Sequence, residues 1–433
     1  MPERFYFHDD GFDRLTHYLF RYPAKFHPPV ARALIEKYTD PDHHILDPFC
    51  GSGTLLVEAA VAGRQATGTD IDPVAVFVSQ VKTHRFNTAH LSRNCENLIR
   101  CLRGHRRSKD EYTERQHTDL SQAEFWRAVD EQGLWIPPIP NLFHWFRHYV
   151  IIDLARIRYE IECLDIPDAH RDFFRLCFCS IIRNASNADP VPVSGLEVTA
   201  HMKRKDAEGR LVNPFDLFEK TVRDGIAAAT EFRRRSHVGL HIKAFQADAT
   251  RLSSYIRSPI DVVITSPPYN SAVDYYRRHT LEMYWLGLTK SREERLALLQ
   301  YYIGRPKVAT RHPFVANEEI ATPLAAEWQS RLWQKSPERA RAFKHYIISM
   351  GKAIRELARV LLPDKLVIFV VGHSSWGNQE IPTTELFLEL SEDSFRLEDH
   401  LWYPLKNRYM SYQRRNEASI DKEHVLVLRR AAR

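Results

Sequence analysis

Ser266-Pro-Pro-Tyr269 follows the apolar, β-branched run Ile260–Thr265 (IDVVIT). Two consecutive prolines stiffen the backbone and remove two amide donors, so neighbouring carbonyls are left to accept. Ser266 adds a hydroxyl, and Tyr269 a flat aromatic face. The set suits a planar ring that carries an amino group. The amine would donate to Ser266 and to the carbonyl of Pro267, and the ring would stack on Tyr269, with Pro268 holding the turn. An exocyclic amine is a poor nucleophile because its lone pair is delocalised into the ring. Two acceptors on its hydrogens favour sp³ character and aim the lone pair at an electrophile, so positioning supplies much of the acceleration. A Pro-Pro turn that merely ends a strand is the plainer alternative, and a second motif weighs against it.

That motif is Asp47-Pro-Phe-Cys-Gly-Ser-Gly-Thr54, between a strand-like run and the helical pattern LLVEAAVAG. Gly51 and Gly53 permit a sharp turn and a close approach of backbone to a ligand. The GxxxxGK[ST] phosphate loop is absent, as is the third glycine of the dinucleotide fingerprint, which argues against a dehydrogenase. Asp70 ends the next strand, Gln65–Asp70, where a carboxylate can accept from ribose hydroxyls. Asp248 ends a further strand-like run, 241–250. Each aspartate alone serves equally as a helix cap or turn former. Together, at strand ends of a doubly wound sheet, Asp47, Asp70 and Asp248 are expected to converge on one crevice.

The elements that must position these residues read as α/β. A helix with proline in its first turn covers 28–38, and strand, turn, helix and strand follow to Asp70, with another helix from Pro73. From about 85 to 238 the rhythm fails, and charges and aromatics dominate. Residues 141–164 read as one long amphipathic helix, 171–186 as another, and 187–210 as a loop. The α/β pattern returns with the run ending at Asp248, the Ile260–Thr265 strand, a helical stretch at 340–361, and strands at Lys365–Gly372 and 424–430. The expected fold class is α/β, a doubly wound Rossmann-like sheet with a largely helical insertion. Residues 1–85 would hold the first half of the core, 86–238 the insertion, and 239–433 the second half.

The 433 residues carry a formal charge of +6, which permits a polyanionic partner without demanding one. Basic clusters at 103–109, 203–205, 233–235 and 414–415 each read more readily as a solvated face than as a binding site. No apolar run reaches membrane-spanning length, and the start of the chain lacks a signal-peptide pattern. The six cysteines form no CxxC pair, which points to reduced thiols in the cytoplasm and to no metal site.

DPFCGSGT and TSPPY resemble the cofactor and catalytic motifs of the amino-group DNA methyltransferases, over roughly 15–85 and 240–375. The resemblance implies S-adenosyl-L-methionine as cofactor and a DNA base, flipped from the duplex, as substrate. Serine first in the tetrapeptide resembles the cytosine-N4 branch; the adenine-N6 branch usually has aspartate or asparagine there. Asp47, Pro48, Phe49, Gly51, Gly53 and Thr54 would flank the methionine part. Asp70 would hold the ribose, Ile71 would pack on the adenine, and Asp248 would accept from its amine. Arg21-Tyr-Pro-Ala-Lys-Phe-His-Pro28 resembles the segment that precedes the glycine loop in this family, with Lys25 and Phe26 closing over the methionine end. Past the catalytic motif, Asp274, Tyr275 and Arg278 are candidate walls of the base pocket, while Tyr284 and Trp285 suit plain packing. Arg183, Ser186 and Asn187 could lie on a loop over the site or simply end a helix. Trp402–Tyr409 is a candidate DNA contact. A cognate restriction endonuclease is the partner class implied by a restriction-modification role. RNA is a rival substrate, although the flanks contain no recognisable RNA-binding module. A non-catalytic nucleic-acid-binding protein that kept the fold is the rival of another class.

Overall fold

The computed structural model describes residues 2–8, 14–190, 196–270, 274–376, 379–405 and 421–431. Its strands are β1 (Glu3–Arg4), β2 (His44–Asp47), β3 (Gln65–Asp70), β4 (Ile242–Gln246), β5 (Ile260–Thr265), β6 (Leu361–Gly372), β7 (Ser374–Trp376), β8 (Gln379–Ile381), β9 (Phe395–Pro404) and β10 (Lys422–Arg430). β7 and β8 form a small separate ribbon. The other eight make one sheet in the order β1-β9-β10-β6-β5-β2-β3-β4. β4, β3, β2, β5 and β6 run parallel to one another, and β10 is antiparallel to both β6 and β9. The chain winds outward from β2 in one direction to β3 and β4, and in the other to β5 and β6. The switch point therefore falls between β2 and β5, where an open sheet presents its ligand crevice.

Both faces of the sheet are covered, so its strands are apolar on both sides. Ile45, Ile264, Ile368 and Val425 pack with α1 (Pro28–Tyr38) and α2 (Thr54–Val61) through Val30, Leu34, Leu55 and Leu56. Their strand neighbours Leu46, Val263, Phe369 and Leu426 face the opposite way, onto the long helix Pro337–Val360 through Phe343, Ile347, Ile354 and Leu357. α3 (Pro73–Thr83) starts with Asp72 as its N-cap, the side chain accepting from Val74 N, and proline at N1.

The largest departure from the regular pattern sits within the α3-to-β4 crossover, which is interrupted by a helical body while β3 and β4 still pair in register. The body has its own core of Tyr149, Phe173, Phe174, Phe178 and Phe215, and it recruits Tyr284 and Trp285 from after β5. Those two residues are fully buried, as plain packing requires.

Several local expectations differ from the structure. Residues 141–164 are two helices, Leu142–Trp145 and His148–Cys163, broken at Phe146 and Arg147, which adopt extended backbone. The 187–210 stretch contains the helix Ala200–Ala207, capped by Thr199. The run at 241–250 stops as a strand at Gln246 and turns into the 3₁₀ segment Ala249–Ser254. β1 and β9 carry no clean alternating pattern and were not anticipated. Among the described residues no helix is long and apolar enough to cross a membrane.

Candidate active site

The cleft lies at the switch point and opens to solvent. The crossing point is pinned by side chains. Thr265, the last residue of β5, donates its hydroxyl to Asp47 Oδ1 at 2.7 Å, and Phe49 N donates to the same oxygen at 3.2 Å. The other oxygen of Asp47 is the one available to a ligand. Gly51 N donates to Asp70 Oδ2 and Asp72 N to Asp70 Oδ1, both at 2.9 Å. Asp70 thus closes the glycine loop onto the tip of β3. Burial pushes both carboxyls up, Asp47 to about 7 and Asp70 to about 7, against the hydrogen bonds that favour their charged forms.

The glycines do different work. Gly51 has φ +49°, and a Cβ there would meet Tyr22 Cε1 at 3.2 Å. Gly53 has φ +73°, and a Cβ would fall 2.8 Å from Ser79 Oγ. Gly53 therefore serves close packing of the loop on α3, and it does not line the cleft. Beneath the loop Lys82 is fully buried and donates to Ser52 O at 2.5 Å; burial drives its ammonium well below the usual lysine range.

On the other wall Ser266, Pro267, Pro268 and Tyr269 line the same cleft, together with Tyr275. The Tyr269 hydroxyl donates to Glu423 Oε1 at 2.5 Å. Lys25 and Phe26 also line it, after Ala24, which has φ +46° and so carries backbone strain beside the cleft. The Lys25 ammonium lies 3.7 Å from the Tyr18 ring centroid, and burial lowers its pKa to about 8.

Pro48, Phe49, Gly51, Thr54, Asp70 and Ile71 complete the expected residues at the cleft. Other candidates lie elsewhere. Asp248 does not line it, although Ala247 and Ala249 do. Its Oδ1 accepts from Thr250 N at 2.8 Å and Thr250 Oγ1 at 2.7 Å, as the cap of the 3₁₀ segment. Asp274 caps the short helix Tyr275–Arg278 by accepting from Arg277 N. Arg278 is buried and donates to Pro190 O at 3.3 Å. Arg183, also buried, donates to Asp189 O and Arg278 O, each at 3.0 Å. Asn187 donates its side-chain amide to His144 O and its backbone N–H to Trp145 O, and Ser186 Oγ donates to Arg183 O. Arg183 and Arg278 tie the insertion to the segment after β5, Ser186 and Asn187 bond within the insertion, and none of the four lines the cleft. Of Trp402–Tyr409, residues 406–409 lie outside the described residues, as does the basic pair 414–415. In the 103–109 cluster Arg106 pairs with Asp216 and Glu219, and Arg107 with Asp153, so both serve the insertion's packing.

Tyr22, Asp72, Tyr301, Tyr302 and Ile303 line the cleft without having been singled out in the sequence. Tyr22 stacks on Tyr275 with ring centroids 5.5 Å apart, and Asp72 is paired with the buried His279 at 2.7 Å. The Tyr302 hydroxyl is buried with no hydrogen-bond partner. Gly304 brings this segment to the catalytic motif: it has φ +81°, and a Cβ there would fall 2.6 Å from Tyr269 O. The signal in sequence was the glycine after a tyrosine pair, Tyr301-Tyr-Ile-Gly304, which spacing alone does not connect to Tyr269. Among the described residues no cluster of three or more His, Cys, Asp or Glu could hold a metal ion.

The fold is thus a doubly wound α/β sheet with one reversed strand, and it carries a glycine loop and a Ser-Pro-Pro-Tyr turn across its switch point. Residues 7–80 match the family described as DNA methylase. It is 26% identical over 392 residues to the Type II methyltransferase M.MvaI of Kocuria varians, covering 87% of this chain and 81% of that one. It is 24% identical over 277 residues to the Type II methyltransferase M.AvaI of Nostoc sp., covering 62% of this chain and 53% of that one. A shorter stretch of 54 residues is 41% identical to the tRNA (guanine(10)-N2)-dimethyltransferase of Methanothermobacter thermautotrophicus, 12% of this chain and 16% of that one.

Proposed function

We propose that the protein transfers a methyl group from S-adenosyl-L-methionine to the exocyclic N4 amine of cytosine in DNA, with the base flipped out of the duplex into the cleft. The observation that supports this most directly is that Ser266–Tyr269 and the glycine loop with Asp70 line one cleft. The residues suit the nucleoside cofactor. Asp70 can accept from ribose hydroxyls on the lone pairs its two amide partners leave, Ile71 offers an apolar flank for adenine, and Lys25, Phe26 and Asp47 lie toward the glycine loop for the methionine end. When bound, the cofactor supplies an electrophilic methyl group on sulfur.

The chain's own residues then do the rest. Ser266 Oγ and the Pro267 carbonyl accept the two amine hydrogens, Tyr269 supports the ring, and the prolines offer no competing donor. The reacting nitrogen is oriented without a strong base. Ser266 is the residue that favours cytosine over adenine. The relatives named as Type II methyltransferases support DNA as substrate, and a cognate restriction endonuclease is the partner class that a restriction-modification role would bring.

The test is transfer of labelled methyl from S-adenosyl-L-methionine to DNA, followed by nuclease digestion and chromatography. N4-methylcytosine is expected. N6-methyladenine would move the reading to the adenine branch. Label found only in RNA or protein would overturn the DNA reading.

A further inference from the structure

Glu423 is the second residue of β10, the reversed strand of the sheet. Because β10 is antiparallel to β6, its beginning lies at the carboxyl ends of the parallel strands, beside the cleft. Its cross-strand partner on β9 is Tyr403, so the two side chains share one face of the sheet. The carboxylate takes one hydrogen bond on each oxygen, from Tyr269 Oη at 2.5 Å and from the buried hydroxyl of Tyr403. Tyr269 is thereby held at both ends. Its carbonyl lies under Gly304, where no Cβ could fit, and its hydroxyl is tied to a rigid central strand. Ser266 is a further hydrogen-bonding neighbour of the same phenol.

We propose that Glu423 is a positioning residue for methyl transfer, acting through Tyr269. The proposal rests on the function read above, in which Tyr269 supports the target base. Two effects follow from the geometry. The ring is fixed in plane, so the base meets a preformed face rather than a mobile side chain. A phenol that donates to a carboxylate is also a more electron-rich ring. Positive charge develops on the target nitrogen as the methyl group arrives, and such a ring attracts it more strongly than a free tyrosine would. The carboxylate takes no part in bond making, and both its oxygens are already engaged.

The test uses the full chain with Glu423→Gln, Glu423→Ala, Tyr269→Phe and the Glu423→Ala/Tyr269→Phe double variant. Single-turnover methyl transfer to DNA, KM for DNA and the flip rate of the 13C-labelled Tyr269 ring are measured, with thermal melting as a check on folding. Glu423→Gln keeps the shape and loses the charge, and the expected fall in single-turnover rate is about 10-fold with KM for DNA little changed. Glu423→Ala frees the ring as well, and the expected fall is about 100-fold, with faster ring flipping and a raised KM. In the Tyr269→Phe background the same substitution should cost less than about 3-fold, because the coupling it breaks is already gone. A Glu423→Ala cost that is equal in both backgrounds, or an unchanged ring flip, would overturn the proposal. If the wild-type chain methylates no nucleic acid, the function reading fails. The ring-flip measurement still decides whether Glu423 holds Tyr269.

Discussion

The sheet and the helical body inserted in its α3-to-β4 crossover are both rich in buried polar side chains, yet they use them differently. In the sheet the polar groups sit at strand tips and are only half satisfied by protein. Asp47 carries both its bonds on one oxygen, Tyr302 has a buried hydroxyl with no partner, and Ser266 faces the cleft. In the helical body the buried carboxylate closes on its neighbours, although Arg107 Nε and His148 Nε2 keep no partner. Asp153 takes Arg107 at 3.1 Å on one oxygen and the Tyr112 hydroxyl at 2.9 Å on the other, and Arg183 spends its guanidinium on backbone carbonyls. A polar group that protein already satisfies is structural, whereas one with unspent capacity at a crevice is placed for a ligand.

The sharpest way to break this comparison is at Ser266. Ser266→Ala removes an acceptor used only when the amine is positioned for attack, and a loss of about 10²–10³ in single-turnover rate is expected, the size seen for removal of one preorganised polar group. Binding of S-adenosylhomocysteine, measured by calorimetry, should be unaffected, since Ser266 lies on the base side of the cleft. A variant that methylates at the wild-type rate would put the base elsewhere.

The insertion should answer in the opposite way. Tyr112→Phe strips a buried carboxylate of one of its two partners, at a cost of about 1–3 kcal/mol in stability. Asp153 then keeps only Arg107, and burial, which already raises its pKa to about 7, weighs more heavily. Thermal melting should fall while methyl transfer at low temperature stays within about 2-fold of wild type, because structural losses far from the cleft act through the folded fraction. Lost activity at unchanged stability would mean that the insertion takes a direct part in the chemistry.

The same distinction explains how much could be read from sequence. Asp47, Gly51, Asp70 and Ser266–Tyr269 were legible because local spacing places them: a strand, a turn and a helix in succession fix which edge each faces. Asp248 does not line the cleft as this logic expects. It does follow a strand, but Thr250 two residues on gives it a local partner, and the flanking alanines face the cleft in its place. Arg278 looked chemical because it follows the catalytic motif, and Arg183 and Asn187 because they end a helix before a turn-rich stretch, while the carbonyls of Pro190, Arg278 and His144 that they hold are 88, 95 and 43 positions away. Glu423, Tyr302 and Gly304 were illegible for the same reason in reverse. Glu423 reaches Tyr269 only because β10 runs backwards between β6 and β9, and that pairing spans 154 positions. No local pattern encodes it.

A further expected effect concerns pH, and it separates the two regions through their carboxyls. Asp47 and Asp70 have folded pKa values of about 7, above the unfolded carboxylate range near 4, because burial penalises their charge. A carboxyl with a raised folded pKa binds more protons folded than unfolded, so these two make the ligand-free protein less stable as pH climbs from about 4 to about 7. A ligand that donates to both carboxyls reverses the sign at the cleft. Ribose hydroxyls and an ammonium group favour the ionised forms, so binding must expel protons wherever pH lies below the folded values. Affinity for S-adenosylhomocysteine should therefore rise from pH 5.5 to about 7.5 and then level, by up to about 10-fold for each carboxyl that must ionise per pH unit below its pKa. Calorimetry in buffers of different ionisation enthalpy counts the released protons directly. Asp70→Asn should remove about half of the dependence and leave the Asp47 share, whereas Asp153→Asn in the insertion should lower melting without altering it. A pH dependence that followed Asp153, or none at all between pH 5.5 and 7.5, would mean that the strand-tip carboxyls do not contact the cofactor.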